Sequence, residues 1–195
     1  MQHKGTVTIE TPRLLLRRFR VEDAEAAFAN WTSDPRVTAF LRWPSHSHVT
    51  VTQRVLADWA AAYEHKNFYQ WAIVLKEQGD DPIGSISVVE LNERVEAAQI
   101  GYCIGQPWWH CRITTEAFKA VIEFLFREVK VSRIEARHDP NNPHSGAVMR
   151  NCGLHCEGTL RQADYNNQGI VDVAVYGLLA GEYSPIVEEV DSDAK

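Results

Sequence analysis

Residues 100–117 read Ile100-Gly101-Tyr102-Cys103-Ile104-Gly105-Gln106-Pro107-Trp108-Trp109-His110-Cys111-Arg112-Ile113-Thr114-Thr115-Glu116-Ala117. Ile100–Ile104 predicts a strand, and Gly105-Gln106-Pro107 turns it into a loop. The strongest helical pattern in the chain follows. Phe118, Val121, Ile122, Leu125 and Val129 fall at i, i+3, i+4, i+7 and i+11, which predicts a helix over 114–129 capped by Thr114 or Thr115. A strand and loop that open a helix can bind phosphate, because the first helical N–H groups lack partners and the helix dipole favours negative charge. Many such joints bind nothing, so the joint marks a place and not yet a function.

The same reading extends outward. Upstream, Ala97–Ile104, Ile83–Leu91 and Tyr69–Leu75 predict a three-strand meander, with turns at Asn92-Glu93-Arg94 and Gln78-Gly79-Asp80-Asp81. Before it, helical spacing marks Glu22–Trp31 and Val51–Tyr63. Asp34-Pro35 starts a short helix, with Asp34 as N-cap. Arg13–Phe19 predicts the first strand. Downstream come a strand at Arg133–Arg137, a short helix opened by Asn141-Asn142-Pro143 and stopped at Gly153, and two strands near Cys156–Gln162 and Ile170–Leu178. The order β-α-α-α-β-β-β-α-β-α-β-β predicts an α/β (α+β) fold, a mixed sheet with helices packed on it.

The chain has 195 residues, 45% apolar and 24% charged, the usage of a folded globular protein. That length predicts a single domain, taken as residues 1–183, followed by an acidic tail over 184–195 that reads as disordered. The net charge of −6 argues against a nucleic-acid binder and suits a cationic substrate such as an amine. No apolar run approaches a membrane span and the first residues lack a signal core, so a cytoplasmic protein with no membrane partner is expected. Cys103, Cys111, Cys152 and Cys156 include no C-x-x-C pair. Neither disulfides nor a metal site is expected.

Taken together, several segments resemble the GNAT acetyltransferases, in particular their RimJ/RimL-like branch. They are Thr11-Pro12-Arg13-Leu14, Ile100–Ile104, Trp109 followed by Thr115-Glu116-Ala117, Arg133–Arg137, Asn142-Pro143-His144-Ser145 before Gly153-Leu154, and Glu157–Arg161. The resemblance spans about residues 8–183. It implies a splayed mixed sheet of about seven strands, with acetyl-CoA in the split between Ala97–Ile104 and Arg133–His138. It implies that the backbone of Tyr102, Cys103 and Ile104 pairs with pantetheine. The loop of His110, Cys111, Arg112, Ile113, Thr114 and Thr115 would hold the pyrophosphate, and Asn142 and Ser145 would touch the reactive end. The implied reaction is direct attack of a primary amine on the thioester. A protein N-terminal α-amine or a small amine would be the acceptor, and a homodimer is compatible.

Three departures stand out. The RimJ/RimL-like loop reads Trp-Gly-x-Gly-x-Ala/Thr-Thr-Glu-Ala, whereas here His110 and Arg112 replace both glycines. Either Arg112 supplies charge-assisted hydrogen bonds to phosphate or the side chains block the site. Gln99 stands where some relatives carry a glutamate base, and an amide cannot take a proton near neutral pH. Glu96, Glu90, His110 and His138 remain as candidates acting through water. Met149 stands where several relatives place a tyrosine. Ser145 is then the candidate partner of the leaving sulfur, or else a helix cap. Trp43, in a loop, is the aromatic expected to face substrate, whereas Trp59, Trp71 and Tyr69 suit the core. The alternative to an enzyme is a degenerate fold that binds CoA or a protein partner.

Overall fold

The computed structural model describes residues 1–184. The acidic tail expected from the sequence lies, apart from Ser184, outside the described residues. Eight strands form one sheet in the order β1-β2-β3-β4-β5-β6-β8-β7. They are β1 (Ile9–Glu10), β2 (Leu14–Arg17), β3 (Gln70–Leu75), β4 (Pro82–Asn92), β5 (Ala97–Ile104), β6 (Arg133–His138), β7 (His155–Asn166) and β8 (Gly169–Leu179). The helices are α1 (Ala24–Ala27), α2 (Pro35–Thr38), α3 (Val49–Ala62), α4 (Ile113–Phe124) and α5 (Pro143–Asn151).

The count of about seven strands becomes eight because Ile9 and Glu10 pair with Leu16 and Leu15. Two residues are too short a run for alternation to show. The expected helix over 22–31 is three pieces: a 3₁₀ turn at Val21–Asp23, α1, and a π turn at Phe28–Thr32. Likewise α4 ends at Phe124 and continues as a π turn to Val129. Asp34 caps α2 as expected, its side chain accepting from the Arg36 N–H.

All six residues of β3 are buried, because helices cover both faces of the sheet. Trp71, Ile73 and Leu75 join Phe118, Val121, Ile122 and Leu125 of the α4 side in the larger core. Ala72, on the opposite face, joins Phe19, Ala24, Trp31 and Leu56 of the α1–α3 side. Strand β5 divides in the same way. Ala98, Ile100, Tyr102 and Ile104 pack toward α4, and Cys103 packs toward α1–α3.

The sheet is antiparallel except at its centre. There β5 and β6 run parallel, but only Ala97–Ile100 pair, with Arg133–Ala136. Beyond Ile100 the strands part. Gly101–Ile104 stay on β4, and Arg137 and His138 stay on β8. A parallel pair thus splits midway and leaves one backbone edge of Gly101–Ile104 without a neighbouring strand.

Candidate active site

The split opens into a cleft of about 690 Å³. Gln99, Tyr102, Cys103, Ile104, His110, Arg112, Ile113, Thr114, Thr115, Asn142 and Ser145 all line it. Cys111 does not. It is exposed, and its carbonyl accepts from the Arg13 guanidinium at 3.2 Å.

The loop before α4 shows how the chain manages without glycines. His110 (φ 62°) and Arg112 (φ 60°) both sit in the left-handed region. Glycine enters that region freely, whereas other residues pay about 1–3 kcal/mol each. Arg112 is the N-cap of α4, with no side-chain cap, contrary to the expected Thr114 or Thr115. The threonines lie inside the first turn, because the left-handed residue stops the helix from extending backward. Glu116 anchors that turn. It accepts from Thr11 Oγ1 at 2.6 Å, from the Arg13 backbone at 3.1 Å and from Arg13 Nε at 2.7 Å. The end of β5 is fixed by Trp109, whose indole N–H donates to the Ile104 carbonyl at 2.9 Å.

Across the split, α5 starts at Pro143 with Asn142 as N-cap and no side-chain cap. Ser145 does not cap it. Its Oγ lies 3.1 Å from Tyr102 Oη, and that phenol also donates to the Ser145 carbonyl at 2.9 Å. Burial pushes the Tyr102 phenol well above its ordinary range, and the Ser145 hydrogen bond only partly opposes this. Tyr102 therefore keeps its proton at neutral pH. Burial likewise raises the Cys103 thiol, with Ser85 partly offsetting it. A thiol held neutral is a poor nucleophile, so the cysteine on this wall does not suit an acyl-enzyme.

The proposed bases separate. Glu96 lies outside the cleft, bound to the Met1 amine at 3.1 Å and the Ser132 hydroxyl at 2.6 Å. Glu90 is not among the lining residues, although it pairs in register with Gln99. His110 and His138 do line the cleft. His138 Nδ1 lies 2.8 Å from the Asp139 carbonyl, which places the proton on Nδ1. Its Nε2 is buried without a partner, pressed against Gly146. Met149 is core, as its chemistry suggested. Trp71 and Tyr69 are buried and Trp59 packs at a tilt against Phe19, whereas Trp43 lines the cleft.

Sequence reasoning missed several lining residues. His144 meets His110 edge-on, ring centres 4.7 Å apart, and Arg42, Asp164 and Tyr165 form another part of the wall. The Pro-His-Ser triplet hinted at His144. Nothing local marks the others, whose proximity arises from segments about 120 residues apart. Among the described residues, no cluster of three or more His, Cys, Asp or Glu could hold a metal, and no helix is long and apolar enough to cross a membrane.

Comparison with known proteins agrees with this geometry. A family profile described as "Acetyltransferase (GNAT) domain" matches residues 13–155. The uncharacterized N-acetyltransferase p20 of Bacillus licheniformis is 28% identical over 180 residues, covering 91% of this chain and 98% of that protein. The uncharacterized N-acetyltransferase YoaA of Bacillus subtilis is 30% identical over 171 residues, covering 88% and 96%. Among solved structures, RimL, a ribosomal L7/L12 alpha-N-protein acetyltransferase in complex with coenzyme A, superposes with a TM-score of 0.80. Its identity is 19%, over 91% of this chain and 100% of that one. The split sheet, the loop into α4 and these relatives together place the chain in the GNAT acetyltransferase family.

Proposed function

We propose that this chain transfers an acetyl group from acetyl-CoA to a primary amine, as a RimJ/RimL-like enzyme. One observation carries the reading: His110 and Arg112 hold left-handed backbone where the family pattern has glycine. The loop keeps a glycine-type path with other side chains. The cleft fits a long phosphorylated thioester. It offers an unpaired strand edge at Gly101–Ile104 and the uncapped starts of α4 and α5.

Bound there, acetyl-CoA would supply an activated acetyl thioester. The chain's own residues divide the remaining work. Gly101–Ile104 and the loop position the acyl group. Gln99 orients the incoming amine through its amide and takes no proton. The Ser145 hydroxyl, whose hydrogen rests on Tyr102 Oη while the phenol donates to the Ser145 carbonyl, turns that hydrogen toward the departing sulfur. A free α-amine of a protein is the acceptor class supported by the RimL likeness, with small amines beside it.

Calorimetric titration of acetyl-CoA tests this. A dissociation constant on the order of micromolar, about −8 kcal/mol, is expected. No binding at millimolar cofactor overturns the reading. A degenerate, non-catalytic fold is the second reading, favoured by the His110 and Arg112 side chains lining the cleft. The double variant His110→Gly, Arg112→Gly separates the two. Weaker binding means that the side chains contact phosphate, and much tighter binding means that they obstruct it.

A further inference from the structure

Among the described residues the carboxylates that line the cleft are Asp139, Asp164 and Asp172. Two of them are committed or wet. Asp164 holds Arg42 by a two-pronged ion pair at 2.9 and 2.8 Å. Asp172 is exposed and accepts from the Gln162 N–H. Asp139 differs from both. It is only 8% exposed, and each of its oxygens accepts from one neutral donor. Oδ1 takes the Asn141 N–H at 2.8 Å, and Oδ2 takes the Asn166 amide at 2.9 Å. Its charge faces no arginine comparable to the one that meets the equally buried Asp23.

A carboxylate withdrawn from water calls for a cation or a metal, because two neutral donors fill only half of its acceptor sites. No metal cluster exists among the described residues to supply one. Nor does the turn require the charge. The Asn141 N–H needs only an oxygen acceptor two residues back, which asparagine or serine also provides. The position matters as well. Asp139 is the first residue after β6, past the point where β6 has parted from β5. Its carbonyl accepts the Asn142 N–H at 2.7 Å, so the same turn leads into α5 and Ser145. Other charged or titratable groups of the cleft wall are Arg137 and His138 of β6, His144 of α5, Asp164, Asp172, and Arg42 after α2. The missing partner of Asp139 is a cation that comes and goes.

We propose that Asp139 is a catalytic residue: the counter-ion of the acceptor amine and the acceptor of its proton. This rests on the transferase reading above, and it fills the role that Gln99 cannot. The nitrogen of the free amine attacks the acyl carbon. As the C–N bond forms and the C–S bond breaks, the surplus N–H proton passes to the Asp139 carboxylate. The thiolate takes a proton from water, and Asp139 returns its own to water. The products are an amide and a thiol, with Asp139 ionised again.

Asp139→Asn tests it, since asparagine keeps an oxygen for the Asn141 N–H and removes the charge. The probe is a tripeptide with a free α-amine, followed with labelled acetyl-CoA. At pH 7 the variant should lose about 10²-fold in kcat/KM for the tripeptide. The deficit should shrink at least about tenfold by pH 9.5, where hydroxide takes the proton instead. Acetyl-CoA affinity by calorimetry should stay within about twofold. Asn166→Ala unties the same carboxylate and leaves its charge. It should cost no more than about fivefold, the size of one lost hydrogen bond. If Asp139→Asn melts early, Asp139→Ser keeps a turn acceptor and should show the same pH-dependent deficit. A deficit that is equal at every pH, or matched by Asn166→Ala, makes Asp139 a structural tie and overturns the proposal. So does full activity in a folded variant, and in these cases the transferase reading stands. If the wild-type protein binds acetyl-CoA but acetylates no tripeptide, both fall together.

Discussion

At the scale of a single residue, the informative pair is Tyr102 and Ser145. The tyrosine sits on β5 and the serine on α5, so their contact spans the split itself. A phenol kept protonated by burial can donate but cannot act as a base. It fixes the Ser145 hydroxyl at 3.1 Å and the carbonyl of the same residue at 2.9 Å. Ser145→Ala should lower kcat by about 10²-fold, as loss of one hydrogen-bond donor to developing negative charge does, with acetyl-CoA affinity nearly unchanged. Tyr102→Phe should lower kcat less, since the serine remains but loses its partner. Steady-state kinetics beside calorimetry check both. A loss of affinity with kcat unchanged would assign the pair to binding alone. The motif around Asn142 and Ser145 was legible in the sequence, but its choice between cap and site was not. The register that brings Tyr102 to it depends on strands and a helix from distant parts of the chain.

At the scale of the element, α4 is the piece most plainly written in the sequence and most altered by its surroundings. Its apolar stripe is buried as the spacing demands: Phe118, Val121, Ile122 and Leu125 are each at most 1% exposed. Its start lies one residue before the expected Thr114, and its cap two to three residues before the expected threonines, because the stop is conformational. A left-handed Arg112 ends the helix, and no side chain announces that. Glu116 then ties the first turn to Thr11 and Arg13. Burial alone would raise the Glu116 carboxyl, but the Thr11 and Arg13 hydrogen bonds outweigh it and hold it below 4.5. A carboxylate depressed in the fold stabilises at neutral pH. That contribution is present above the unfolded value and is lost as pH falls through the folded one. Glu116→Gln should therefore destabilise the protein by about 1–3 kcal/mol at pH 7, with the difference from wild type shrinking as pH falls below the ordinary glutamate range. Denaturant unfolding at several pH values measures it, and a pH-independent difference would contradict this account.

At the scale of the whole molecule, one buried ion pair joins β2 to the start of the helical segment before α1. Arg17 on β2, 5% exposed, forms two bonds of 2.8 Å with Asp23 before α1. It also reaches Asp80, in the turn before β4, at 3.0 Å. Removing one member leaves a buried charge without its partner. Asp23→Asn should cost about 3–5 kcal/mol in chemical unfolding, more than a surface ion pair is worth. A loss below about 1 kcal/mol would show that Asp80 and water compensate fully. This pair was invisible in the sequence, where Arg17 is one of several arginines near a strand and Asp23 reads as ordinary first-turn acid.

The sequence by itself determined the order of strands and helices apart from β1, the family, and the part of the cleft wall that lies on β5, the loop into α4 and the start of α5. Those rest on local spacing and on short motifs whose residues act where they stand, such as Trp109 with Thr115-Glu116-Ala117. It left open whether a loop without glycines keeps its path, which histidines meet, and which distant segments complete the cleft wall. Only the tertiary structure decided these. A left-handed φ at His110 and Arg112 is held by what lies on either side of the loop. The ion pair of Arg42 with Asp164 joins segments whose proximity follows from the sheet order. Local pattern reports what a residue prefers, whereas packing over a hundred positions sets what it touches.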